Sequence, residues 1–230
     1  MKRYALLLVA ALLVTGVASA ATCAGLPPAG PALMLFGGSS PSPAFSSASF
    51  SCGGLTFNNF VAIDAGSVSN PVVAVTNAEV TSSGTVNLSL NPNLSANQDV
   101  YLYFTVQGPL SGIGLTVGGN NATVIEKACS GAIVNLSGNF NPGNNCAPTG
   151  TSLLLGGQNA ISATSGNSAA AAFTSTSQTT YIFKDIGTGA GGGLSTITQS
   201  FTPVPEPISF VLMGSGLLGL GLAHRRRRKA

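Results

Sequence analysis

The sequence predicts an all-β fold: a single antiparallel β-sandwich, jelly-roll-like in type. Three observations carry this expectation. From Leu55 to Phe201, short segments rich in Val, Ile, Thr, Tyr and Phe are separated by Gly, Asn, Ser or Pro, the punctuation of strands and turns. Two of these segments alternate cleanly with period two. In Thr85–Leu90, Val86, Leu88 and Leu90 share one face, opposite Asn87 and Ser89. In Val100–Gln107, Val100, Leu102, Phe104 and Val106 point inward, while Tyr101, Tyr103, Thr105 and Gln107 point outward. Between the two ends of the chain, no segment carries a 3.6-residue apolar period. Short strands that are each apolar on one side bury that side by packing two sheets face to face.

In chain order, residues 1–20 come first. Lys2 and Arg3 give a positive start, Ala5–Val14 an apolar run and Ala18-Ser19-Ala20 a small-residue cleavage site. Those are the parts of a secretory signal peptide, handled by the Sec machinery and cut by signal peptidase after Ala20. Residues 21–54 are rich in Pro, Gly and Ser and read as an irregular lead-in with one short strand at most. Residues 55–202 form the sandwich. Its strands are expected over LTFNNFVAI, VVAVTNAEV, TVNLSL, DVYLYFTVQ, GIGLTV, ATVIEKAC and AIVNLSG, then LLLGG, AISAT, TYIFKDI and STITQSF. Ser168–Ala172 reads as a loop or a turn of helix, and the glycine-rich Gly187–Gly192 as a flexible inter-strand loop. Residues 203–230 form a C-terminal unit with its own logic.

Charge is scarce and unevenly placed. The basic residues Lys2, Arg3, Arg225, Arg226, Arg227, Arg228 and Lys229 all lie in the terminal segments. Between them Lys127 and Lys184 stand against Asp64, Glu79, Asp99, Glu126 and Asp185, a net charge of −3. Nothing there neutralises a phosphate backbone, so nucleic acid is not a partner. The carboxylates are scattered singly, and each reads as a solvated strand-end or turn residue.

Four cysteines, Cys23, Cys52, Cys129 and Cys146, follow the signal peptide. An even number in an exported chain reads as two disulfides, and sequence neighbours, Cys23–Cys52 and Cys129–Cys146, are the natural pairing. The sequence has no C-x-x-C, and its single histidine, His224, lies in the C-terminal unit, so neither a metal nor a cofactor is expected. That histidine's position and the lack of G-x-S-x-G also exclude a Ser-His-Asp site in the sandwich. Gly187-Thr188-Gly189-Ala190-Gly191-Gly192 matches G-x-G-x-x-G, but a strand pattern follows where the dinucleotide fingerprint requires a helix. The domain is therefore not expected to be an enzyme. Tyr101 and Tyr103, two residues apart on one outward face, are the candidate platform for stacking a glycan.

The C-terminal unit opens on Pro205-Glu206-Pro207. The prolines exclude a helix through Glu206 and hold the chain extended, a form a protease can grip. Ile208–Ala223 has no charge and as a helix would measure about 24 Å, short of the roughly 30 Å hydrocarbon core but long enough when flanking arginines snorkel. Arg225, Arg226, Arg227 and Arg228 then form a cytoplasmic stop, which by the positive-inside rule leaves the sandwich outside.

Pro205-Glu206-Pro207, the 208–223 helix and Arg225-Arg226-Arg227-Arg228, in that order, resemble the PEP-CTERM sorting signal of Gram-negative bacteria. The resemblance implies a membrane processing enzyme, an exosortase, as partner. It also implies a route of export, inner-membrane anchoring, processing near Pro-Glu-Pro, and final residence at the cell surface or in the extracellular matrix. Proteins with such signals often accompany exopolysaccharide production and biofilm or floc formation. The stretches CGGLTFNNF, YLYFTVQGPLSGIGL and YIFKDI resemble an ectodomain that recurs ahead of such signals, and that likeness implies no activity. The expected role is structural, at the surface or in the matrix, with exopolysaccharide as the neighbouring polymer. A carbohydrate-binding module is the alternative, and a secreted hydrolase a distant third.

Overall fold

The computed structural model describes residues 23, 33–36, 49–65, 72–131, 146, 150–174 and 178–204. The signal peptide with Ala20, the strand expected over 132–138, the Pro205-Glu206-Pro207 motif, the 208–223 helix and Arg225–Arg228 lie outside the described residues. Among the described residues no helix is long and apolar enough to cross a membrane.

The strands are β1 (Leu33–Phe36), β2 (Phe50–Cys52), β3 (Leu55–Asp64), β4 (Val72–Val80), β5 (Val86–Asn91), β6 (Asp99–Gln107), β7 (Leu110–Val117), β8 (Asn120–Cys129), β9 (Ile161–Thr164), β10 (Ser168–Ala172), β11 (Thr179–Gly193) and β12 (Ile197–Pro203). They form two six-stranded antiparallel sheets. Sheet A runs β1-β4-β5-β12-β7-β10 and sheet B runs β2-β3-β6-β11-β8-β9. From β5 onward the chain crosses between sheets at every step except β8 to β9. The resulting orders, β5-β12-β7-β10 and β6-β11-β8-β9, are the interleaved Greek keys of a jelly roll. The strands before β5 extend both sheets at one side.

The core is the space between the sheets. Val86, Leu88 and Leu90 of β5 and Leu102 and Val106 of β6 are fully buried there. An aromatic cluster spans the layers: Phe57 of sheet B lies 5.2 Å from Phe201 of sheet A, and Phe60 lies 5.1 Å from Phe104, ring centre to ring centre. Phe57 and Phe60 are three positions apart on one strand, so strict alternation would place them on opposite faces. A register shift between Asn58 and Val61, with Asn59 at φ 56°, inserts the extra residue that turns both rings inward. Each such buried side chain contributes about 1.5–3 kcal/mol relative to exposure.

Several sequence expectations change. Gly187–Gly192 is not a loop: with Gly193 it completes β11, a strand of 15 residues. Its glycines allow the start of β8 to approach closely. A Cβ on Gly189 would fall 2.5 Å from Asn121 Nδ2, and one on Gly192 would fall 2.7 Å from Asn121 O. Asn121 Nδ2 instead donates to Ala190 O at 2.9 Å, and Asn120 Nδ2 to Gly191 O at 3.0 Å. Ser168–Ala172 is strand β10, paired with Gly112–Thr116 of β7. A Cβ on Gly112 would meet Ala171 O at 2.9 Å. The lead-in contributes two short strands, and LLLGG supplies a β-bridge at Leu154 followed by a short 3-10 turn.

The passage from β7 to β8 moves the chain from one sheet to the other in two residues, Gly118 and Gly119. Gly119 has φ 81°, and a Cβ there would sit 2.1 Å from Gly193 O. Only glycine satisfies both conditions.

Disulfides join Cys23 to Cys52 and Cys129 to Cys146, and no described cysteine is free. The first ties the lead-in to β2. The second holds Cys146, itself buried, against the end of β8.

Candidate functional site

Continuing the alternation along three strands brings polar side chains to the inner faces. On β8, Glu126 lies between Val124 and Ala128; on β11, Lys184 lies between Ile182 and Ile186; on β12, Gln199 lies between Ile197 and Phe201. All six flanking residues belong to the core, and the three polar ones are fully buried with them. Glu126 and Lys184 are direct cross-strand partners in sheet B, while Gln199 projects from sheet A. Lys184 Nζ lies 3.0 Å from Glu126 Oε2 and donates to Gln199 Oε1. Gln199 Nε2 donates to Ser200 O at 3.3 Å, which leaves the amide oxygen for the lysine.

Burial raises the Glu126 pKa, an effect the Lys184 charge and the Lys184 and Gln199 hydrogen bonds offset only in part. Burial lowers the Lys184 pKa, offset in part by Glu126. Withdrawal from water thus moves acid and amine toward each other. Reading each carboxylate as a solvated strand-end residue fails at Glu126. Sequence reasoning missed the triad because each member was judged as a charge or an amide. The usable signal was strand phase: V-x-E-x-A, I-x-K-x-I and I-x-Q-x-F.

The outward face of sheet B carries a second apolar cluster of Val61, Ile63, Tyr103 and Phe183, with Tyr101 packed against it. Tyr101 and Tyr103 do share this face. Tyr103 is only 7% exposed, with its ring centre 4.5 Å from that of Phe183; Tyr101 is half-buried, 5.6 Å from the same ring. Burial, with Tyr101 and Asp185 nearby, raises the Tyr103 pKa, so its hydroxyl stays protonated. Beside the tyrosines, Asp185 is hydrogen-bonded to Asp99, and burial together with that neighbour pushes the Asp185 pKa up to about 7. Carboxyl groups in hydrogen-bond contact are closer than the roughly 5 Å of a retaining glycosidase pair and leave no room for a sugar bond between them. The Asp64 side chain is outside the described residues. Among the described residues no group of three or more His, Cys, Asp or Glu side chains is placed to hold a metal.

Three comparisons with known proteins bear on this arrangement. The family model of the PEP-CTERM protein-sorting motif matches residues 203–228. The chain therefore carries that motif directly after β12, and the motif marks an exported, C-terminally sorted protein that is processed by an exosortase. A comparison with curated proteins finds no match. Among solved structures, the chain is similar to TmCBM61 in complex with β-1,4-galactotriose, at 14% identity, over 49% of this chain and 69% of that one, with a TM-score of 0.28. A likeness of that extent assigns no ligand.

Proposed function

We propose that the protein is a structural component of the cell surface or extracellular matrix, exported and then anchored and processed through its C-terminal signal. The observation that carries this reading is the sorting motif over residues 203–228, joined without a spacer to the last strand of the sandwich. The signal peptide of residues 1–20 starts the route, and the Arg225–Arg228 block stops transfer with the sandwich outside. Pro205-Glu206-Pro207 then presents the exosortase with an extended segment. The mature sandwich stands among exopolysaccharide as a closed, disulfide-tied body of low charge. A glycan-binding role would draw on Tyr101 and Tyr103. With Tyr103 packed on Phe183, that face offers one partly open ring, so the structural role is the better supported of the two.

The test is Glu206→Ala. Export and membrane insertion should be unchanged, because the signal peptide and arginine block are intact. Maturation should stop, and the full-length chain should accumulate in the inner membrane. Cell fractionation with mass spectrometry of the C-terminus reads both. Wild-type protein at the surface that still carries His224 and the arginines would show a permanent anchor instead.

A further inference from the structure

We propose that Lys184 and Gln199 become joined by an intramolecular isopeptide bond, a covalent tie between the two sheets, with Glu126 carrying the protons. The juxtaposition is that of a reactive site. A primary amine donates to the oxygen of a carboxamide while standing 3.0 Å from a carboxyl group, and all three side chains are 0% exposed. The three residues come from three strands, and the register Lys184↔Glu126 with the packing of Ile182, Ile186, Ile197 and Phe201 fixes them. Such fixed proximity replaces a bimolecular encounter with an intramolecular one.

Burial supplies the remaining conditions. Only an unprotonated amine is a nucleophile, and desolvation favours that form of Lys184. The same desolvation favours the protonated form of Glu126, the form that can donate. A charged pair in a core is costly to desolvate, and apolar residues of similar volume would pack at least as well, so stability alone gives weak reason for the triad.

The chemistry balances without an oxidant or reductant. The Lys184 ammonium passes a proton to the Glu126 carboxylate, giving amine and acid. The amine lone pair attacks Cδ of Gln199, forming the new C–N bond as Glu126 protonates Oε1. Glu126 then takes a proton from the attacking nitrogen and delivers it to Nε2. The Cδ–Nε2 bond breaks and one ammonia leaves, while the carbonyl re-forms as Oε1 returns its proton to the Glu126 carboxylate, which ends as the acid. The products are a secondary amide and free ammonia. This step is independent of sorting, and its test does not involve the tail.

The experiment is mass spectrometry of the exported full chain with both disulfides formed. The intact mass should be lower by one ammonia than the disulfide-bonded chain requires. Lys184 is the sole tryptic site between Lys127 and Arg225, and as an amide it is not cut. After reduction and digestion, one peptide should run from Ala128 past Gln199, with fragment ions placing the bond between Lys184 and Gln199. Folded wild-type protein that keeps the ammonia and is cut after Lys184 would overturn the proposal, and this needs no variant. Gln199→Leu and Glu126→Gln should both abolish the mass loss in protein that remains folded by near-UV circular dichroism. Linkage at wild-type yield in Glu126→Gln would overturn the assignment of Glu126.

Discussion

Asp185, beside the outward face of sheet B, is a carboxyl whose ionisation the fold opposes. In the unfolded chain it titrates near 3.8; in the fold, burial and Asp99 push it up to about 7. A carboxyl with a raised folded pKa binds more protons folded than unfolded, so stability falls as pH rises between those two values. Above about pH 7 the destabilisation is complete, and below about pH 4 it is absent. Asp185→Asn should therefore be more stable than wild type at pH 8 and should flatten the decline between pH 4 and 7. Urea unfolding across that range checks it, and an unchanged slope would show that the carboxyl pair does not share its proton. Nothing in the sequence distinguishes this acid from Glu79. Asp185 and Asp99 are far apart in the chain, and only the β6–β11 pairing, which sets Gly187 opposite Asp99, brings them together. The sorting tail is the opposite case: its residues are contiguous, so a linear reading finds them.

At the scale of elements, glycine is where the fold is least tolerant. Gly119 combines φ 81° with a backbone oxygen 2.1 Å from any added Cβ, whereas Gly156 has φ 77° and open space around it. Gly156→Ala should cost roughly 1–2 kcal/mol for the left-handed backbone alone. Gly119→Ala should cost more, because the β7–β8 crossing must also move away from Gly193, and local strain of this kind adds about 1–3 kcal/mol. Urea midpoints of the two variants decide this, and equal losses would show that the crossing relaxes freely. Strands β5 and β6 were legible because apolar and polar residues alternate along them without interruption. The C-terminal end of β11 and all of β10 were not, because glycine and alanine give no contrast between faces. There the strand state is set by pairing with the neighbours, β8 and β7. The bulge in β3 defeated simple alternation for a third reason, an extra residue that changes phase midway.

For the whole molecule, covalent ties supplement the apolar core. The Cys129–Cys146 bond closes a separation of 17 residues and the Cys23–Cys52 bond one of 29. Removing the first by Cys129→Ser/Cys146→Ser should lower stability by about 3 kcal/mol, and removing the second by about 3.5 kcal/mol in the chain-entropy model. Urea unfolding of each pair variant reads the loss, and non-reducing peptide maps should show these two linkages and no exchanged ones. The architecture also bears on how the protein would carry load. Strand β12 lies between β5 and β7 in the interior of sheet A, and residues 203–230 continue from its last position. A cable fastened to an edge strand can unzip its hydrogen bonds one at a time. Fastened to β12, a pull along the strand must shear two ladders at once, while Phe201 and Gln199 remain seated between the layers. The membrane end of this chain is thus moored to the middle of its fabric and not to the hem.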